Sequence, residues 1–132
     1  MSPLQIAALR GHQSTAVFLL ETPLVQIDPD EINQLLWNVA QEGYVDVVKV
    51  LAGLKMVNIN YINNNDASKR TALLIALYGR HLDTVHALLR SGRVDPSIPD
   101  ATGGQPVDLA AAFGFKDLVV LLERAATELV AE

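Results

Sequence analysis

Apolar positions recur with helical spacing in four separate segments of this chain of 132 residues. Each segment holds two amphipathic stretches, in which the aliphatic residues lie three and four positions apart. That spacing places the aliphatic side chains on one face of an α-helix, so each segment predicts two short helices. A glycine lies between the two stretches, at positions 11, 43, 79 and 114. The pattern therefore predicts a row of helical hairpins.

The four segments are copies of one motif. Residues 2–12 match residues 71–81 in their small, apolar and histidine positions without a gap, and residues 34–44 and 105–115 follow the same pattern. The copies begin about 33 residues apart, which is the period of an ankyrin array. Alanines within the copies allow neighbouring helices to approach closely. The repetition predicts a stack in which each copy contacts only its neighbours.

The sequence resembles the ankyrin-repeat family over nearly its whole length. The resemblance is carried by Ser2-Pro3-Leu4, Ala7-Ala8, Gly11-His12, Leu19-Leu20, Thr71, His81, Leu88-Leu89-Arg90-Ser91-Gly92, Asp100, Gly103, Pro106 and Ala110-Ala111. It implies an all-α solenoid of about four stacked helix-turn-helix repeats with connecting hairpin-like loops. We expect a single domain over residues 1–132, with repeats at about 2–33, 34–70, 71–104 and 105–132.

Three features depart from the family pattern. Arg80 occupies the glycine position of the third copy and Gly79 precedes it, so we expect a helix turn shifted by one residue. The connection over residues 58–70 is long, which predicts an enlarged loop. The first helix begins near residue 2, with no preceding hairpin. Because a solenoid end normally carries a polar outer face, we expect a fragment of a longer chain, with weak self-association through the uncapped first repeat as the alternative.

Composition narrows the function classes. With 50% apolar and 19% charged residues, the chain does not have the composition of a disordered tail. The absence of cysteine excludes disulfides, thiolate metal sites and cysteine nucleophiles. A net charge of −5 argues against a general nucleic-acid binder, which needs basic residues to neutralise phosphates. No apolar run is long enough for a membrane span and no signal peptide is visible, so we expect no membrane insertion. The absence of cysteine favours a reducing, intracellular setting, and we expect a cytoplasmic location.

No catalytic or metal-binding constellation is visible in the sequence. His81 follows a turn, where we predict a hydrogen bond to the turn backbone. His86 lies five positions further on, a spacing that does not place two imidazoles on one helical face. Asp28, Asp30 and Glu31 lack calcium-loop spacing and are predicted to form a solvated hairpin tip. We therefore expect no enzyme activity, no cofactor and no bound metal.

Three large side chains have competing interpretations. Trp37 is the only tryptophan and lies among apolar residues of a predicted helix, which favours core packing over ligand stacking. Tyr61 and Ile62 lie in the long connection. They either fold back on the hairpin or form an exposed anchor, and the sequence does not decide between the two.

The resemblance also implies where a partner protein would bind, at the loop tips and near the ends of the first helices. The corresponding helix-end residues are Leu9, Arg10, Gln41, Glu42, Tyr78, Ala112 and Phe113. The corresponding tip residues are Asp30, Glu31, Asn33, Ser68 and Arg70. Because interface hot spots favour aromatic and arginine side chains, the expected anchors are Arg10, Arg70, Tyr78 and Phe113. The alternative for the two aromatic residues is packing between repeats.

The function expected from the resemblance is a non-catalytic interaction module that holds another protein on the concave face of the array. The acidic positions of this surface would attract a basic segment of the partner and raise the association rate. We expect a monomer. The alternative function is a recruiting or regulatory segment of a larger enzyme or of a secreted, host-directed effector.

Overall fold

The chain forms consecutive helices joined by short turns and longer loops. The structure is a computed structural model that describes residues 14–15, 28–55, 57–63 and 66–131. From residue 28 onward its helices are α1 (Pro29–Glu42), α2 (Val45–Ala52), α3 (Ala72–Tyr78), α4 (Leu82–Arg90), α5 (Pro106–Ala112) and α6 (Lys116–Ala131). The helices pack in pairs across a turn, α1 with α2, α3 with α4 and α5 with α6, and α3 also contacts both α1 and α5. The predicted all-α array of helix-turn-helix repeats is confirmed. Most of the predicted first repeat lies outside the described residues.

The start of α1 corrects one sequence prediction. The Asp28 carboxylate accepts a hydrogen bond from the Asp30 backbone N–H at 2.9 Å, and Pro29 occupies the first helical position. This combination caps a helix N-terminus, where proline loses no hydrogen bond. Asp30, Glu31 and Asn33 therefore lie in the first turns of α1, and the predicted hairpin tip at these positions is wrong. Acidic residues here complement the positive end of the helix dipole.

The turns between paired helices keep a common register. Gly43 and Gly114 have φ angles of 77° and 80°, as expected for glycines in this position. Arg80 occupies the equivalent place and adopts a φ of 59° itself, while the preceding Gly79 has a φ of −79°. The predicted shift of this helix turn by one residue is therefore wrong. Arg80 itself adopts the left-handed conformation, so the turn keeps the same position as in the other repeats.

Small residues on the first helices bring neighbouring repeats together. Ala40, Ala76 and Ala110 each have no exposed surface, and each occupies the same place in its repeat. The second helices add their own buried aliphatic side chains, such as Val48 and Leu88, and α2 packs against α4. The core is therefore a continuous layer along the stack, as expected where each repeat buries surface mainly against its neighbours.

The long connection contains an isolated antiparallel bridge between Ile62 and Thr71, and we call the described residues from this bridge, 62–63 and 66–71, the finger. Trp37 is 7% exposed, and its indole N–H donates to the Arg70 carbonyl at 2.9 Å. The prediction of core packing for Trp37 is confirmed. Tyr61 and Ile62 behave differently from each other. The Tyr61 ring packs against the core, and its hydroxyl donates to a side chain of α1, whereas Ile62 remains 37% exposed.

Two polar side chains connect consecutive repeats. The Nε2 atom of His81 donates to the Gln41 carbonyl at 3.0 Å. The predicted bond to backbone is therefore made, but to the last turn of α1 in the preceding repeat and not to the turn that His81 follows. The Arg93 guanidinium donates to the carbonyls of Ala52 at 3.0 Å and Leu54 at 2.8 Å, and to that of Val57. Arg93 therefore bonds to the last carbonyl of α2, which has no partner within the helix, and to two carbonyls of the loop that follows.

Candidate functional site

An aromatic ring and a guanidinium group are stacked at the base of the finger. The Arg70 guanidinium carbon lies 3.9 Å from the centre of the Tyr78 ring. Tyr78 is 39% exposed at the end of α3, and Arg70 is half-buried just before the helix begins. The Arg70 Nε atom is buried and has no hydrogen-bond partner in the structure. Stacking on the ring holds the guanidinium in one orientation.

The Tyr78 ring is held by Asp100, which lies in the loop between α4 and α5. The tyrosine hydroxyl donates to Asp100 Oδ2 at 3.4 Å. Asp100 is 8% exposed, and its Oδ1 accepts from the Thr102 hydroxyl at 2.6 Å and from the Gly104 backbone N–H at 2.9 Å. The Thr102 hydroxyl is the largest influence that lowers the pKa of Asp100 below its ordinary value, although burial acts in the opposite direction. Asp100 is therefore a carboxylate at neutral pH and fixes the position of the ring.

A second cation lies over an aromatic ring at the end of the first helices. The Arg80 guanidinium carbon is 4.8 Å from the centre of the Phe113 ring, which belongs to the next repeat. Phe113 also makes an edge contact with Phe115, with ring centres 5.8 Å apart. Phe113 is thus half-buried between neighbours, whereas Tyr78 presents more of its ring to solvent.

A family model for ankyrin repeats, containing three copies, matches residues 36–130. The chain belongs to the ankyrin-repeat family. Solved structures agree with this assignment. The crystal structure of an ankyrin repeat domain from Acinetobacter baumannii is 27% identical, with a TM-score of 0.76, and the match covers 95% of this chain and 64% of that one. The crystal structure of the ankyrin repeat protein EF0377 is 26% identical, with a TM-score of 0.75 and coverages of 93% and 63%.

The ankyrin-repeat chain spans less than two thirds of the length of both solved structures. No curated protein sequence matches it. Ankyrin repeats are in general protein–protein interaction modules. Within the described residues, no helix is long and apolar enough to cross a membrane.

The predicted binding residues of this ankyrin array lie on several helices and in the finger. Gln41 and Glu42 are exposed in the last turn of α1, and Ala112 is exposed at the end of α5. Ser68 lies in the finger, where its carbonyl accepts a 2.8 Å hydrogen bond from the Ala101 backbone N–H of the following loop. Arg70, Tyr78 and Phe113 form the two stacked pairs described above. Leu9 and Arg10 lie outside the described residues.

Asn33 has a contact that its predicted role does not include. Its side-chain oxygen accepts a 2.8 Å hydrogen bond from the backbone N–H of Asn58, so Asn33 ties the loop after α2 to the start of α1. Asp100 was missed as a contributor to the site, although it was recognised as part of the family pattern. The signal available in the sequence is Asp100-Ala101-Thr102-Gly103-Gly104, a turn in which an aspartate accepts from residues two and four positions later.

The described part of the site contains no cluster of potential metal ligands. Among the described residues, no group of three or more histidine, aspartate or glutamate side chains is close enough to hold a metal ion. The carboxylate of Asp100, which lies next to Tyr78, accepts hydrogen bonds from Thr102 and Gly104 of its own loop. What the arrangement offers is a contact surface with one exposed ring and one guanidinium held in a fixed position.

Proposed function

We propose that this ankyrin array binds another protein through a surface made of the finger and the ends of the first helices. The observation that carries the proposal is the Arg70–Tyr78 stack, with its guanidinium 3.9 Å from the ring centre. Tyrosine and arginine are enriched among the residues that dominate interface energies. Phe113, with Arg80 above it, is the second anchor of the proposed surface.

Rigid support favours binding at this position. Asp100 holds the Tyr78 hydroxyl, and the Trp37 indole holds the backbone carbonyl of Arg70. Both side chains that would meet the partner are thus restrained before it arrives. Ordering a flexible side chain in an interface costs about 0.5–1.5 kcal/mol, and restraint in the unbound state removes part of this cost.

The remaining predicted residues form the proposed periphery of the same concave surface. The end of α1 contributes Gln41 and Glu42, the end of α5 contributes Ala112, and the finger contributes Ser68. Asp30, Glu31 and Asn33 extend the surface along the start of α1, and Leu9 and Arg10 would extend it into the first repeat. The carboxylates of this group would speed association with a basic segment of the partner.

The proposed activity is binding alone, by a monomer. Function in an ankyrin array depends on its surface residues, and the surface described above carries contact groups rather than a reaction centre. A recruiting segment of a larger enzyme, or of a secreted effector directed at a host, would use this same surface. In each case we propose that the array supplies recognition and that any chemistry belongs to another unit.

The test compares partner recovery by three forms of the chain. Immobilised wild type, Tyr78→Ala and Val120→Ala are exposed to the same extract, and the bound proteins are quantified by mass spectrometry. Val120 is the matched control, because it is an exposed apolar residue, 53% exposed, on α6. We expect Tyr78→Ala to lose the proteins that wild type and Val120→Ala retain. Equal recovery by all three forms would show that the binding surface lies elsewhere.

A further inference from the structure

A groove lined by basic residues runs between the second helices of the array. One cavity, of about 490 Å³, lies between the ends of α2 and α4 and is lined by the cations Lys49, Arg90 and Arg93. A second cavity, of about 380 Å³, lies between α4 and α6 and shares Arg90 with the first, adding Arg124. We call the two cavities together the basic groove. Their volumes fall within the range of about 300–1,000 Å³ that is typical of ligand sites.

The charge of the basic groove is opposite to that of the whole chain. The protein has 15 acidic and 10 basic residues, and its net charge is −5. Four of these basic residues line the groove, and none of the described residues that line either cavity is an aspartate or a glutamate. The helix ends account for part of this concentration of basic residues in the groove. A helix C-terminus carries partial negative charge, which stabilises nearby cations.

The four cations differ in what they have available for a ligand. The Arg93 guanidinium already donates to three backbone carbonyls, one at the end of α2 and two in the loop that follows. Lys49 and Arg90, by contrast, are exposed in the last turns of α2 and α4. Between them lie Ala52 and Ala87, which are 3% and 7% exposed and form a shallow floor. The groove thus combines two solvent-facing cations with a floor of small apolar side chains.

We propose that the basic groove binds an acidic segment of a partner protein, with carboxylates on Lys49 and Arg90. This surface lies on the second helices, so it is separate from the proposed surface at the finger and the first-helix ends. Charge complementarity selects the class of ligand, since the described part of the lining offers donors and cations and no carboxylate. The floor of alanines suits the methylene groups of glutamate side chains.

A peptide fits this groove better than a nucleic acid does. Binding of a nucleic acid depends on neutralising a long row of phosphates, and the net charge of −5 repels an extended polyanion. A short acidic peptide meets mainly the local potential of the groove, because charges farther away than about 8–10 Å are screened at physiological salt. The ligand of the basic groove is therefore an acidic polypeptide segment and not a nucleic acid.

The test measures binding of three fluorescein-labelled probes to the 132-residue chain by fluorescence anisotropy. The probes are hexaglutamate, hexaglutamine and a six-nucleotide oligothymidylate. We expect hexaglutamate to bind, with an affinity that falls as salt is raised, and the other two probes to bind more weakly. The double variant Lys49→Gln/Arg90→Gln should weaken hexaglutamate binding about two- to thirtyfold, as expected for the loss of two exposed ion pairs.

A matched control removes the same charge elsewhere. Lys69→Gln/Lys116→Gln changes two exposed lysines that line neither cavity, so it should alter the affinity by less than about twofold. Tyr78→Ala should keep hexaglutamate binding, which separates this proposal from the one for the finger surface. Equal losses in the two double variants, or tighter binding of the oligothymidylate, would overturn the proposal. Circular dichroism of each variant establishes that it is folded.

Discussion

The Arg93 side chain gives the sharpest test of what holds consecutive repeats together. Its guanidinium donates hydrogen bonds to the carbonyls of Ala52, Leu54 and Val57, which lie 36 to 41 positions earlier in the chain. Arg93→Met keeps an unbranched apolar stem and removes all three donors. Because the group is only half-buried, each bond is assigned about 1 kcal/mol, and the expected loss in the free energy of unfolding is about 3 kcal/mol.

The assay is urea unfolding followed by circular dichroism of the helices. For a domain of this size, a loss of about 3 kcal/mol lowers the urea midpoint by about 1.5 M if the slope of the transition is unchanged. Arg93→Lys should recover part of the loss, because an ammonium group cannot reach three carbonyls in the planar arrangement that a guanidinium allows.

The matched control for Arg93 is Arg90→Met. Arg90 lines the same cavity and carries the same charge, but it is exposed at the end of α4. We expect its replacement to change stability by less than about 0.5 kcal/mol. If Arg93→Met and Arg90→Met unfold at the same urea concentration, the carbonyl contacts contribute nothing measurable and the reasoning fails.

Two further predictions concern the site and the turns. Asp100→Asn should lower stability at neutral pH by about 1–2 kcal/mol, because hydrogen bonds to a charged acceptor are lost. The pKa of Asp100 is lower in the folded chain than its ordinary value. The stability contributed by ionised Asp100 is therefore complete at pH values above the ordinary pKa, and it is lost as the pH falls through the pKa of the folded chain. Thermal unfolding from pH 2 to 7 should show the two forms converging in acid, and a gap that does not change with pH would contradict the assignment. Gly43→Ala should destabilise the chain more than Gly114→Ala: both residues have positive φ, but a Cβ atom at Gly43 would lie 2.6 Å from His81 Nδ1, whereas one at Gly114 meets nothing within 4 Å. Both variants carry a backbone strain of about 1 kcal/mol from the positive φ. In urea unfolding, Gly43→Ala should cost about 1–2 kcal/mol more than Gly114→Ala, because the His81 imidazole is displaced and loses its hydrogen bond. Equal costs would show that the His81 ring moves without an energetic penalty.

The sequence predicted the helix pairs because their signal is local. Apolar spacing and the recurring alanines and glycines define each hairpin within about a dozen residues, and the helices of the structure follow that pattern. The prediction failed at the start of α1. Asp28, Asp30 and Glu31 were assigned to a solvated hairpin tip, although Asp28 followed by Pro29 caps a helix and α1 begins there. At Arg80 the family preference for glycine was given too much weight, because an arginine adopts the required φ of 59°.

The contacts that shape the candidate surfaces could not be predicted, because they join residues far apart in the chain. Tyr78 meets Asp100 across 22 positions, and Arg93 reaches carbonyls up to 41 positions away. The periodicity indicated that Tyr78 ends a helix and that its repeat packs against the next one. It carried no information about which polar atoms of neighbouring repeats lie within hydrogen-bonding distance, since that depends on side-chain rotamers and loop conformations.

The indole–carbonyl bond between Trp37 and Arg70 makes the protein its own reporter. Because the chain has one tryptophan, all indole fluorescence comes from a group buried in α1 and bonded to the base of the finger. A change in emission without a change in helical circular dichroism would therefore signal that the finger has detached while the helices remain formed. The protein thus permits local opening to be observed in the wild-type sequence, with no label added.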